Sequence, residues 1–246
     1  ILKELETDQG FITANVIRED YQSYIRFLKQ FHNNPNPIEK IDDFINYQSE
    51  TFKTVIVNPQ NLDEDEINQF YSRGFNCDNG IGVPVDKKEA ARYYKIVADN
   101  GHIESMARLG KMLIKEGNGI PVNKQEGYEY LKRAADKGDP EAMYLYGLGL
   151  SKGDGIPVDH SNANNYYANA MERGNLDAMN NYGENLFNGI GVEINKKYAN
   201  ILFKRASDLG HSQSMYNYAG SLYNGDDIES NKEEAVKLFQ KSADAG

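Results

Sequence analysis

The sequence predicts an all-α solenoid of about five helix pairs behind a helical N-terminal segment, and three observations carry that expectation. Five glycines, Gly101, Gly138, Gly174, Gly210 and Gly246, follow one another at a step of about 36 residues, inside the range of about 20–50 that marks stacked supersecondary units. A second set, Gly80, Gly117, Gly153, Gly189 and Gly225, keeps its distance to the first, except that KMLIKEG before Gly117 is one residue longer than LGLSKG or ENLFNG. Between the glycines, apolar residues recur at three- and four-residue spacing, which draws one stripe along a helix.

In chain order, residues 1–64 stand outside the repeat and are expected to form a helical capping segment, with a separate small helical domain as the alternative. Ile17, Tyr21, Tyr24, Leu28 and Phe31 follow helical spacing and stop at Pro35 and Pro37, which no helix interior tolerates. Ile38, Ile41 and Ile45 mark a second helix, and residues 52–57 (FKTVIV) a strand or a helix end. Asn61 and the acids Asp63 to Glu66 read as a capped helix start, with negative charge where it complements the helix dipole. The array is expected over 65–246, in units 65–101, 102–138, 139–174, 175–210 and 211–246.

The third unit shows the pattern. Asp139-Pro140 is a start signal, and Ala142, Met143, Tyr146, Gly147 and Leu150 line one face of helix A. GDGIPVD is a turn, and helix B runs from beyond Asp159 to Gly174. The capping position recurs as Asp86, Asn123, Asp159, Asn195 and Asn231, and Glu89, Glu126 and Glu234 three residues on predict capping boxes in three units. Helix B carries a small residue early (Ala90, Gly127, Ala163, Ala199, Ala235) and a bulky pair later (Tyr93-Tyr94 to Leu238-Phe239), so that small meets large where antiparallel helices interlock. The repeat-ending glycines are expected at positive φ. In the fifth unit Asp227 replaces Gly82, Gly119, Gly155 and Gly191, which predicts a distorted turn. Ala219 likewise replaces the helix-A glycine, and Gly127 the helix-B alanine.

The order Ala-Met, hydrophobic-Gly, Leu, Gly-x-Gly-[IV], Asp/Asn, Ala, aromatic pair, Ala, closing Gly resembles the Sel-1-like repeat, a relative of the tetratricopeptide repeat, over about three quarters of the chain. The resemblance implies a right-handed superhelix of helix pairs that serves as an adaptor or scaffold in intracellular complexes. A secreted, cysteine-rich branch of that family is excluded, because Cys77 is the single cysteine of the 246 residues and no intrachain disulfide can form. An intracellular, cytoplasmic location follows as the expectation. The start at Ile1 and the stop at a repeat boundary suggest a fragment, with further repeats or a partner covering the C-terminal end.

Net charge is −10, unevenly spread: 13 acidic and 6 basic residues up to Glu66, 24 and 21 beyond it. Nucleic acid is disfavoured as a partner for want of a basic stripe, and membrane insertion for want of an apolar run of about 20 residues. No metal, cofactor or catalytic constellation is expected. His32, His102, His160 and His211 are scattered, and His102 and His211 stand where Asp139 and Asn175 cap helices. Cys77 falls at the packed position of Leu113, Leu150, Leu186 and Leu222, and the glycine-rich loops lack the P-loop lysine. Asp42-Asp43 and the acids from Asp63 read as solvated helix starts.

The expected function is a non-enzymatic adaptor or scaffold, possessing no cofactor; the alternative is a regulatory or accessory module of an enzyme whose catalytic part lies outside these residues. The resemblance puts helix A on the concave side, so its non-core columns, Tyr71, Ala107, Tyr144, Asn180, Tyr216; Phe75, Lys111, Leu148, Glu184, Gly220; and Asp78, Ile114, Ser151, Phe187, Tyr223, would face a partner. From these and their surroundings the expected protein-binding residues are Tyr71, Lys111, Ile114, Tyr144, Leu148, Lys152, Asn180, Phe187, Tyr216 and Tyr223. A peptide or helix in the groove would be anchored by the aromatics, with lysines favouring acidic flanks.

Overall fold

The computed structural model describes residues 61–116 and 119–245; the helices, strand and capping role expected within residues 1–60 lie outside them. Ten helices follow in order: α1 Glu64–Asn79, α2 Lys87–Asp99, α3 Ile103–Ile114, α4 Lys124–Asp136, α5 Pro140–Lys152, α6 His160–Glu172, α7 Leu176–Asn188, α8 Lys196–Asp208, α9 Ser212–Asn224 and α10 Lys232–Ala245. There is no strand among the described residues. Each helix packs chiefly on its neighbours in sequence, which is the arrangement of a helical solenoid. Odd-numbered helices are the A helices of the repeat and even-numbered ones the B helices.

Short connections work because single residues serve two helices. His102, Asp139, Asn175 and His211 each donate the backbone N–H to a carbonyl of the preceding B helix, at Val97, Ala134, Ala170 and Ala206. Their side chains accept from the amides of Ser105, Ala142, Ala178 and Ser214 in the following A helix. The glycine before each stands at positive φ, 96°, 103°, 89° and 92° at Gly101, Gly138, Gly174 and Gly210, closing the B helix in a Schellman motif.

The capping boxes expected at the B helices are only half made. Asp86 and Asn123 accept from the amides of Glu89 and Glu126, but their own N–H groups are taken by Cys77 and Leu113 carbonyls across the turn. The reciprocal glutamate bond therefore has no donor, and Glu126 and Glu234 instead accept from the side-chain amides of Asn123 and Asn231. A complete box forms at α1, between Asp63 and Glu66, where no helix precedes Asp63 among the described residues.

The fifth turn is not distorted. Asp227 adopts φ 53°, the conformation of the glycines it replaces, and Asn231 N–H reaches the Leu222 carbonyl at 2.9 Å as Asp159 reaches Leu150. Aspartate is among the residues that enter this region at tolerable cost. The extra residue of the second unit is absorbed beyond α3: the helix ends at Ile114 with Lys115 extended, and Asn123 N–H still bonds to Leu113.

Helix pairs close through the A-helix glycines. A Cβ at Gly74, Gly147 or Gly183 would meet the ring of Tyr94, Tyr167 or Phe203 at 3.0, 2.9 and 2.7 Å. The buried side chains fall into three clusters, one spanning Ala90 to Ala178, one Met171 to Ala206, and one of Ala219, Leu222 and Ala235. Near the first boundary lies a buried chain of amides: Asn185 donates to Asn164 at 2.7 Å, and Asn164 donates to the Ile190 carbonyl at 2.8 Å.

Candidate interaction surface

The three A-helix columns are not equally accessible along the array. In the first and third repeats the aromatic rings turn into the gap between helices. Tyr71 lies 4.8 Å from His102 and 6.0 Å from Tyr94, and its burial raises the phenol pKa. Tyr144 lies 6.2 Å from Tyr167, and burial pushes its phenol up to about 12. Ile114 packs against the first core cluster, and Leu148 is half-buried. Lys152 is exposed at the end of α5, while Lys111, also exposed, pairs with Glu141 at 2.8 Å.

Two column positions read as non-core are buried. Ala107 is 9% exposed and Asn180 3%. Asn180 links repeats: its oxygen accepts from Ser214 Oγ at 2.9 Å and from Asn217 Nδ2 at 3.0 Å, and its own Nδ2 donates to Glu184 at 2.8 Å. The reason is proximity of the next A helix, which helical spacing alone does not report.

The last two repeats differ. Tyr216 is 56% and Tyr223 47% exposed, although Tyr216 meets Phe239 edge-on at 5.2 Å and Lys232 lies 5.1 Å from the Tyr223 ring. Phe187 is half-buried, 6.4 Å from Phe203. Between α7 and α9 a cleft of about 440 Å³ opens, bordered by Phe187, Phe203 and Tyr216, by the carboxylates of Glu184 and Asp226, and by amide side chains including Asn217. Asp226 is held below the usual carboxylate range by its hydrogen bond from Lys196. The lysines expected to favour acidic flanks thus belong to the second and third repeats, whereas this cleft is edged by carboxylates. Sequence reading named Phe187 and Tyr216 but missed the Glu184–Asn217 pair; the signal was the column through Arg108, Leu145, Asn181 and Asn217.

As to chemistry, no group of three or more His, Cys, Asp or Glu among the described residues could hold a metal ion, and Cys77 packs against the first core cluster. No described helix is long and apolar enough to cross a membrane.

A family model for the Sel1 repeat matches residues 71–102, 103–139, 140–175, 176–211 and 212–246. No curated protein matches the chain significantly. Among solved structures, the chain is similar to a protective antigen of uropathogenic Escherichia coli that displays an SLR fold, at 29% identity and a TM-score of 0.69, over 74% of this chain and 39% of that one. It is also similar to a Sel1 repeat protein from Oxalobacter formigenes, at 25% identity and a TM-score of 0.67, over 75% and 76% of the two chains. The chain thus spans well under half the length of the Escherichia coli protein.

Proposed function

Because this chain belongs to the Sel1 repeat family, whose members generally mediate protein–protein interaction and are typically non-catalytic, we propose that it is a non-enzymatic adaptor or scaffold binding another protein through its A-helix surface. The occupant is a peptide or helix of a partner, held as a component of a larger cytoplasmic assembly. The observation that carries this reading is the α7/α9 cleft itself, where Phe187 and Tyr216 of two neighbouring A helices stand beside Glu184 and Asn217. Tyrosine brings a large contact area for little conformational entropy, and such side chains dominate interface energetics.

The test is to capture a partner from the source cells, purify it and measure its affinity for the chain and for a Tyr216→Ala/Tyr223→Ala variant. Loss of about 2 kcal/mol or more in binding, with the melting temperature retained, is expected. A variant on the turns, Val158→Ser, should bind as the parent does. Equal affinity of the double tyrosine variant would place the site elsewhere and end the reading.

A further inference from the structure

The repeats carry their own template for what fills the space between neighbouring A helices. Between α1 and α3, Arg108 reaches back so that its guanidinium lies 5.1 Å from the centroid of Phe75 and 6.0 Å from that of Tyr94. It donates to Glu104 at 2.8 Å and stands 3.8 Å from Asp78. A cation over aromatic faces, fixed by carboxylates, fills that junction.

Three repeats further on, Tyr94 becomes Phe203, Phe75 becomes Glu184, Asp78 becomes Phe187 and Arg108 becomes Asn217. The ring and the carboxylate of the A helix have exchanged places, and the filling side chain has become shorter by several atoms. Asn217 still points the same way: its amide donates to Glu184 Oε1 at 2.8 Å, and Asn180 donates to the same oxygen at 2.8 Å. Glu184 is thereby held in place, with no lysine or arginine pairing with it among the described residues, at the edge of the open cleft. Asp226, the other carboxylate, is already answered by Lys196 at 3.0 Å, and the same ammonium stands 4.6 Å from the Phe187 ring, so Glu184 and Tyr216 are the carboxylate and the exposed ring of the cleft that no cation of the described residues engages.

We propose that the α7/α9 cleft receives an arginine side chain of a partner protein, which pairs with Glu184 and lies against the exposed ring of Tyr216, supplying from outside the group that Arg108 supplies from within. The flat guanidinium suits the site better than a lysine ammonium, because it can stack on a ring while its N–H fork engages a carboxylate. At the cleft itself the charge complementarity is local, with Glu184 lacking a cationic partner among the described residues, and a basic side chain answers it. This rests on the A-helix surface being the binding face and specifies the chemistry that it selects.

The probes are the pentapeptide acetyl-Ala-Ala-Arg-Ala-Ala-amide and its lysine and citrulline counterparts, titrated into the full chain while the side-chain amide signals of Asn217 and Asn180 are followed by NMR. Saturable shifts are expected with the arginine peptide, and binding weaker by about tenfold with citrulline, which keeps the shape and loses the charge. Lysine should fall between them. Glu184→Gln should weaken the arginine peptide about fivefold or more, and Asn217→Arg, which fills the cleft from within, should abolish binding while circular dichroism and melting temperature show a folded chain. Equal binding of arginine and citrulline peptides, or no saturable shift up to roughly 10 mM, overturns the proposal. A purified partner separates the two readings. If its binding is lost in Tyr216→Ala/Tyr223→Ala but unchanged in Asn217→Arg, the arginine assignment fails and the A-helix surface stands; if neither variant matters, both fail.

Discussion

A Cβ on Gly110 would stand 2.7 Å from the carbonyl oxygen of Gly127: in the second pair α3 and α4 meet glycine to glycine, where the first, third and fourth pairs set a ring against the A-helix glycine. Backbone cannot give way as a flexible side chain can. Gly110→Ala should therefore lower stability by about 1–3 kcal/mol. Gly220, in α9, has nothing within 4 Å of its added Cβ, so Gly220→Ala should raise stability by about 0.5–1 kcal/mol through the unfolded chain's entropy. Urea denaturation of the two variants checks the opposite signs.

Asp227 holds φ 53° without being glycine. Asp227→Gly should relieve that conformation and raise the urea midpoint, by about 1 kcal/mol in stability. The reverse test is Gly174→Val at φ 89°, expected to cost about 1 kcal/mol or more. A Gly174→Val variant as stable as the parent would contradict the positive-φ helix end.

His102 caps α3 through Nδ1, which accepts from the Ser105 amide at 3.3 Å, and an accepting nitrogen carries no proton. Burial holds its pKa below the ordinary value of 6.5, against the opposing pull of Glu104. The unfolded chain then binds the proton more readily, so stability is lost as pH falls from above 6.5 through the lower folded value, and levels off beneath it. His102→Asn, which copies the cap at Asn175, should remove that part of the slope. Equilibrium unfolding of both proteins between pH 8 and pH 5, roughly the window of a histidine, makes the comparison.

Phe187 packs on Phe203, with Lys196 Nζ 4.6 Å from its ring. Truncating it removes contacts inside the array as well as from the cleft. Phe187→Ala should cost about 1–3 kcal/mol of stability, whereas Tyr223→Ala, at a 47% exposed position, should leave stability within about 0.5 kcal/mol. Thermal melts of the two single variants would distinguish them.

Much of the array was legible because its signals are local. The glycine register, the recurring Asp or Asn caps and the three- and four-residue stripes each act within one helix or turn, so ten helices and their pairing followed. What the stripes leave open is distance to the next repeat. Asn180 and Tyr216 occupy one column, yet one is 3% and the other 56% exposed, because the first meets Ser214 and Asn217 of the following A helix. The capping boxes failed for a related reason, since the donor that Glu89 and Glu126 would need is used by a carbonyl across the turn.

The buried side chains fall into three clusters joined through half-buried Tyr182 and Tyr218, with the Asn164–Asn185 amides near the first boundary, and this bears on how the molecule comes apart. Each repeat touches chiefly its neighbours, so stability is approximately a sum of repeat and interface terms, and native-state opening is expected in blocks whose free energies differ. The block that borders the α7/α9 cleft can loosen while the preceding pairs remain closed. For the proposed partner segment, release is then expected to follow a local excursion of that block rather than opening of the whole array.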